Sequence, residues 1–114
     1  MLQTIKMDNN LPAINPPAVL PGGVYVYLLQ SIDGSLYVGS AKDVSRRTNL
    51  HRTGRGAKFT HHHPAAMLVY VEGPFDLKIA AQRERQIKRW SRAKKLALIR
   101  GDHDRLKQLS RSRD

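Results

Sequence analysis

Glu84 is the one carboxylate between Leu77 and Gly101, a stretch that also holds nine lysines and arginines. Leu77, Ala80, Glu84 and Ile87 fall at i, i+3, i+7 and i+10, which is one face of a helix and the apolar one. Lys78, Gln82, Arg85 and Arg89 take the opposite, solvated face. The spacing predicts that Glu84 points toward the core or a cleft, away from its cationic neighbours. A carboxylate placed there needs a partner. Two readings follow: a buried ion pair with an arginine, or a metal ligand or general base.

A second constellation is YVGSAKDVSRRTNLH, residues 37–51. With a helix beginning after Asp43, Val44, Arg47 or Thr48, and His51 share a face, and Arg47 and His51 lie one turn apart. Val44 should pack on the sheet and carry those polar residues inward. Tyr37 leaves the preceding strand beside Gly39, where backbone can approach something closely. A tyrosine, an arginine and a histidine would then meet near a glycine that leaves room for substrate. The alternative is a core tyrosine and two solvated helix residues, the usual placement of charged side chains. Tyr25 and Tyr27 share one side of their strand, and either could join the pocket or pack across strands.

These groups need elements to position them. VYVYLLQ, residues 24–30, is β-branched and aromatic and predicts a strand. Asp33-Gly34 supplies a hairpin turn, and SLYVG, 35–39, the return strand. Asp43 is the expected N-cap of a helix to about Thr53, stopped by the GRG at 54–56. MLVYVE, 67–72, predicts a third strand, broken at Gly73-Pro74. Asp76 should cap a long helix to about Trp90, Ser91 a second ended by Gly101, and Leu106 and Leu109 mark a short last helix. The order β-β-α-β-α-α-α predicts an α/β (α+β) domain, a small mainly antiparallel three-stranded sheet flanked by helices. Residues 1–22 hold four of the six prolines without periodicity and predict a flexible or extended tail. Residues 23–100 would form the domain and 101–114 a helical extension.

The chain has 114 residues, a net charge of +11 and no cysteine. The length suits one domain. The missing cysteine excludes disulfides and thiolate zinc sites and suits a reducing cytosol. No apolar run reaches the roughly 20 residues of a membrane span. The charge points to a polyanionic partner, nucleic acid first.

Taken together, these residues resemble the GIY-YIG nuclease family. Its two short motifs would be GVY at 23–25 and YVG at 37–39. Arg47 stands ten residues after Tyr37 and His51 four further on, the family's spacing for its arginine and a common histidine. Glu84 matches the later-helix glutamate, and GSLYVGSAKDVSRR and RERQIKRWSRAKK look most like small single-domain bacterial members. Tyr25 fits the literal first motif, while Tyr27 fits the separation usual in the small members; the choice stays open.

The resemblance implies a metal-dependent DNA endonuclease of repair, recombination or processing. Glu84 would hold a single Mg²⁺ or Mn²⁺, and one carboxylate can suffice because magnesium keeps several waters. Tyr37 would take a proton from the attacking water, which asks for positive charge nearby because an unperturbed tyrosine has a pKa of about 10. Arg47 would brace the phosphate, and His51 and Tyr27 would position water. Gly39, Lys42, Arg46, Arg52, Arg55 and Lys58 around the first helix, and Arg89, Arg92, Lys94 and Lys95 beyond Glu84, would contact nucleic acid, giving affinity without much sequence choice. Specificity would then come from single-stranded or branched DNA, or from a protein partner. His61–His63 lack the spacing of a zinc site and fit a loop or a phosphate contact. Two alternatives remain: a non-catalytic nucleic-acid-binding module on the same fold, or a basic structural protein associated with RNA.

Overall fold

VYVYLLQ forms β1 (Val24–Gln30), and all seven residues are buried. The run shows no polar alternation because β1 is the central strand and both its faces are covered, so neither parity can be polar. The computed structural model describes residues 11–52 and 66–111, with the backbone alone for residues 50–52. After β1 come β2 (Leu36–Ala41), α1 (Val44–Arg52), β3 (Met67–Phe75), α2 (Leu77–Lys88), α3 (Arg92–Arg100) and α4 (His103–Arg111). The three strands are antiparallel in the order β2-β1-β3. The fold is the mixed α/β arrangement, in the element order, that the residue patterns predict.

The two parities of β1 feed two cores. Val24, Val26 and Leu28 pack with Val38, Val69, Ala80 and Ile87, beneath α2 and α3. Tyr25, Tyr27 and Leu29 pack with Val44, Ala66 and Leu68 on the other face, beneath α1. The β1–β2 hairpin is closed by the Gly34 amide donating to the Ser31 carbonyl at 2.9 Å and by the Ser35 amide donating to Asp33 Oδ1 at 2.9 Å. β2 runs to Ala41, two residues past the expected end at Gly39.

β3 also runs further than expected. Gly73-Pro74, expected to break the strand, lies within it, with a cis peptide bond. Proline lacks an amide donor, which an edge strand tolerates at an irregularity, and the β1–β3 register shifts there, between Val24↔Phe75 and Val26↔Glu72. A second shift, between Leu28↔Tyr70 and Leu29↔Leu68, leaves Val69 unpaired and turns both Val69 and Tyr70 toward the α2 side.

The helix stops and starts follow cap chemistry. Asp43 Oδ1 accepts from the Arg46 amide at 3.0 Å, Asp76 Oδ1 from the Ile79 amide at 2.8 Å, and Ser91 Oγ from the Lys94 amide at 3.1 Å. α2 buries Ala80 and Ile87, as its apolar face predicts. Leu77, counted on that face, is 72% exposed instead.

Residues 11–20 belong to no helix or strand and lead into a turn at Pro21-Gly22, but they are tied down. The Ile14 amide donates to the Leu68 carbonyl at 2.9 Å, the Leu11 amide to Gln30 Oε1 at 3.2 Å, and the Tyr25 hydroxyl to the Ala18 carbonyl at 3.0 Å. This strap meets the outer edge of β3 at Leu68, satisfying a carbonyl that an open edge leaves unpaired. Of the flexible or extended tail predicted over 1–22, Leu11, Ile14 and Ala18 are hydrogen-bonded to the sheet; residues 1–10 lie outside the described residues.

α2 is fastened to β3 by a polar cluster. Arg83 reaches both oxygens of Glu72, at 2.5 and 3.1 Å, and Glu72 Oε1 also accepts from the Tyr70 hydroxyl at 2.5 Å. Arg83 lies over the Trp90 ring at 5.2 Å from its centroid, and the buried Lys94 ammonium stands 4.5 Å from the same centroid. These contacts join β3, α2 and α3 around one indole.

Candidate active site

The position of Tyr27 follows from β1 being central. Its parity sends it to the α1 face, where it is fully buried opposite Gly39 of β2. A Cβ added to Gly39 would stand 2.7 Å from Tyr27 Oη, 2.8 Å from Cζ and 3.2 Å from Tyr37 Cε2. Gly39 is therefore a glycine because the Tyr27 ring passes across it. The room it leaves is filled by that phenol, not by the open space for substrate expected from the motif.

Tyr37 shares the face of Gly39, two residues away on β2, and is half-buried. α1 brings Arg47 to the same place: Val44, one turn earlier, is fully buried against the sheet, and Arg47 donates to the Tyr27 phenol. Burial pushes the Tyr27 hydroxyl well above the ordinary tyrosine value, Tyr37 and Glu84 add to that, and Arg47 opposes it without prevailing. Tyr27 thus stays a neutral O–H group. Thr48, the other inward candidate on α1, spends its hydroxyl on the Val44 carbonyl at 2.7 Å.

Glu84 arrives from the opposite face. Ser40 follows Gly39, so its side chain takes the other parity of β2, toward α2. Its Oγ donates to Glu84 Oε1 at 2.6 Å, while Lys88 Nζ pairs with Oε2 at 2.8 Å. Burial alone would raise the Glu84 pKa; the hydrogen bonds from Lys88 and Ser40, with the charges of Lys88 and Arg47, outweigh it and hold the carboxyl below its ordinary value. Glu84 is a carboxylate within electrostatic reach of Tyr27 and Arg47, and Lys88 is within reach of Tyr37. The site straddles edge strand β2, with two tyrosines and an arginine on one side and the carboxylate on the other. It pairs with neither Arg83 nor Arg85; Arg83 belongs to Glu72.

A family model described as the GIY-YIG catalytic domain matches residues 23–97. The chain belongs to the GIY-YIG family. Among its relatives, a UPF0213 protein of Staphylococcus saprophyticus is 49% identical over 76 residues, covering 66% of this chain and 92% of that protein. A UPF0213 protein of Staphylococcus aureus is 45% identical over 76 residues, covering 67% and 93%. The solution NMR structure of the UPF0213 protein of Bacillus halodurans is similar at 38% identity and a TM-score of 0.45, over 68% of this chain and 82% of that one. Membership puts the chain in a nuclease superfamily whose substrate is DNA and whose members generally depend on a divalent metal.

Within this GIY-YIG domain, the structure brings together Tyr27, Tyr37, Arg47 and Glu84. Tyr25 does not join them; it is buried and donates to the strap carbonyl of Ala18. Lys42, Arg46 and Arg47 line a depression of about 370 Å³ with Ala41 and Asp43, where β2 leads into α1. Arg89 and Arg92 are exposed at the α2–α3 junction. Lys95 is half-buried, and its pKa is lowered, by burial first and by Arg92 second. Lys94, expected to contact nucleic acid, is turned inward onto Trp90. His51 and Arg52 belong to α1 by backbone alone, and Arg55, Lys58 and His61–His63 lie outside the described residues. Sequence reasoning missed Ser40 and Lys88. The i,i+4 rule applied to Glu84 finds Lys88, and strand parity after the YVG motif finds Ser40.

Proposed function

We propose that this chain is a divalent-metal-dependent endonuclease that hydrolyses DNA phosphodiesters, favouring single-stranded or branched DNA. The observation that carries the reading is the ionised Glu84 carboxylate, held by Ser40 within electrostatic reach of Arg47 and Tyr27. A pure binding module has no need to set a carboxylate where it would repel a phosphate.

The residues present fit one hard cation. Among the described residues no group of three His, Cys, Asp or Glu side chains converges. A single ionised carboxylate with a half-exposed counter-ion suits Mg²⁺ or Mn²⁺, which keep several waters of their own. When bound at Glu84, the ion would supply Lewis-acid stabilisation of the charge that grows on the phosphate.

The chain's own groups carry the remaining work. Arg47 braces a non-bridging phosphate oxygen with its guanidinium. Tyr37 takes the proton of the attacking water, with the Lys88 ammonium within electrostatic reach. Tyr27 remains protonated, so its role is to hold Arg47 in place and to donate, never to accept a proton. The exposed side chains of Lys42 and Arg46 extend the basic surface around the β2–α1 junction, where backbone contacts favour DNA shape over sequence.

The test is a panel of labelled single-stranded, duplex, flap and branched DNAs, incubated with Mg²⁺, Mn²⁺ or EDTA. The proposal expects metal-dependent cuts that Glu84→Gln abolishes while DNA binding persists. Binding to the panel with no cleavage under any condition would favour the non-catalytic module instead.

A further inference from the structure

Glu84 is gripped at both oxygens, and the two grips differ in kind. Ser40 Oγ, on strand β2, is neutral, half-buried and fixed by the sheet. Lys88 Nζ is a cation on the same helix as Glu84, with a side chain 51% exposed against 21% for the glutamate. A lysine is a compact point charge on a flexible four-carbon stem. Four residues along one helix, it can meet the carboxylate or leave it without moving any backbone. By contrast, the other arginine–carboxylate pair of α2 is held at two points and flanked by an indole. Lys88 therefore sits on the oxygen of the candidate ligand that Ser40 does not hold, with the one sign of charge that an incoming cation must replace.

We propose that Lys88 is a displaceable counter-ion for Glu84: it occupies Oε2 in the metal-free protein and competes there with the divalent ion. The inference rests on reading Glu84 as the metal ligand. It predicts that the pair keeps the carboxylate aimed while empty, at the cost of some metal affinity. A surface pair of this type is worth a few tenths to about 1 kcal/mol, so removing Lys88 should tighten metal binding by roughly two- to fivefold.

The experiment measures Mn²⁺ affinity without DNA at neutral pH, from the EPR signal of the free ion. Four proteins are compared: wild type, Lys88→Gln, Glu84→Gln and Lys78→Gln. Lys78 is exposed at the far end of α2 and removes the same charge away from the site. The expected result is tighter binding for Lys88→Gln alone, wild-type affinity for Lys78→Gln, and loss of the site in Glu84→Gln. If Lys88→Gln binds no more tightly than wild type while Glu84→Gln still loses the site, the counter-ion inference falls and the metal reading stands. Equal tightening by both lysine variants would reduce the effect to net charge and overturn the inference. Unchanged affinity in Glu84→Gln would remove the metal reading and the inference together.

Discussion

Arg83 and Lys88 lie on the same helix, five residues apart, and each faces a carboxylate. Arg83 takes both oxygens of Glu72, whose third contact is the Tyr70 hydroxyl, and the pair is largely shielded, with side chains 26% and 16% exposed. Lys88 takes one oxygen of Glu84 and is half in water. The first arrangement joins β3 to α2 through three donors on one carboxylate. The second leaves an ionised group at the edge of β2 that can change partner. The burial of the cation and the number of contacts separate the two pairs, although both are glutamates next to basic residues.

The largest effect that could break this distinction is on chemistry. Tyr37→Phe and Glu84→Gln should each lower DNA cleavage by about a thousandfold, within the range for a lost acid–base or electrostatic group. DNA binding, measured by fluorescence anisotropy, should stay within a few-fold of wild type. Next comes the clamp. Arg83→Met leaves Glu72 shielded and short of its two charge-assisted hydrogen bonds, which should cost about 2 kcal/mol and lower Tm by roughly 10 °C. Cleavage by the protein still folded should fall much less than in Glu84→Gln. If Glu72→Gln abolished cleavage without loss of Tm, the two roles would be reversed.

Gly39→Ala sharpens the comparison from the site's side. Its methyl would overlap the Tyr27 phenol, and overpacking of this kind costs about 1–3 kcal/mol. Tyr27 and Arg47 should move together, so cleavage should fall even where the variant remains folded by circular dichroism. The smallest effect is the acid dependence of the Glu84 pair. The folded pKa of Glu84 lies below its ordinary 4.5, so the pair's contribution is complete above that value and is lost as pH falls through the folded pKa. In metal-free buffer the Tm gap between wild type and Glu84→Gln should be small at pH 7, reflecting less than about 1 kcal/mol, and should close as pH falls through the lowered pKa.

Much of this was legible in the residues because local rules agree with the fold. Asp43, Asp76 and Ser91 cap the helices they were expected to cap, and Val44 is buried as its spacing predicts, while Arg47 stays exposed and meets the sheet through the Tyr27 phenol. Helical phase alone turns Glu84 from Lys78, Arg85 and Arg89, but it leaves Lys88, one turn on, in ion-pair contact with it. What was illegible depends on partners distant in the chain. Glu72 was an ordinary strand residue until the β1–β3 register set it opposite Arg83. Gly39 reads as space for substrate until the pairing Tyr27↔Gly39 fills that space. The same pairing favours Tyr27 over Tyr25, since Tyr25 spends its hydroxyl on the strap. The strap itself carries no period, because its amides bond one at a time to whatever the sheet offers.

The central claim is that α2 presents Glu84, not Glu72, to a divalent ion. Anomalous diffraction from crystals soaked in Mn²⁺ tests it directly. A manganese peak within coordination distance of Glu84, with Lys88 swung away and no peak at Glu72, is the predicted result. A peak at Glu72, or none at Glu84 in crystals of protein that cleaves DNA with Mn²⁺, would contradict it.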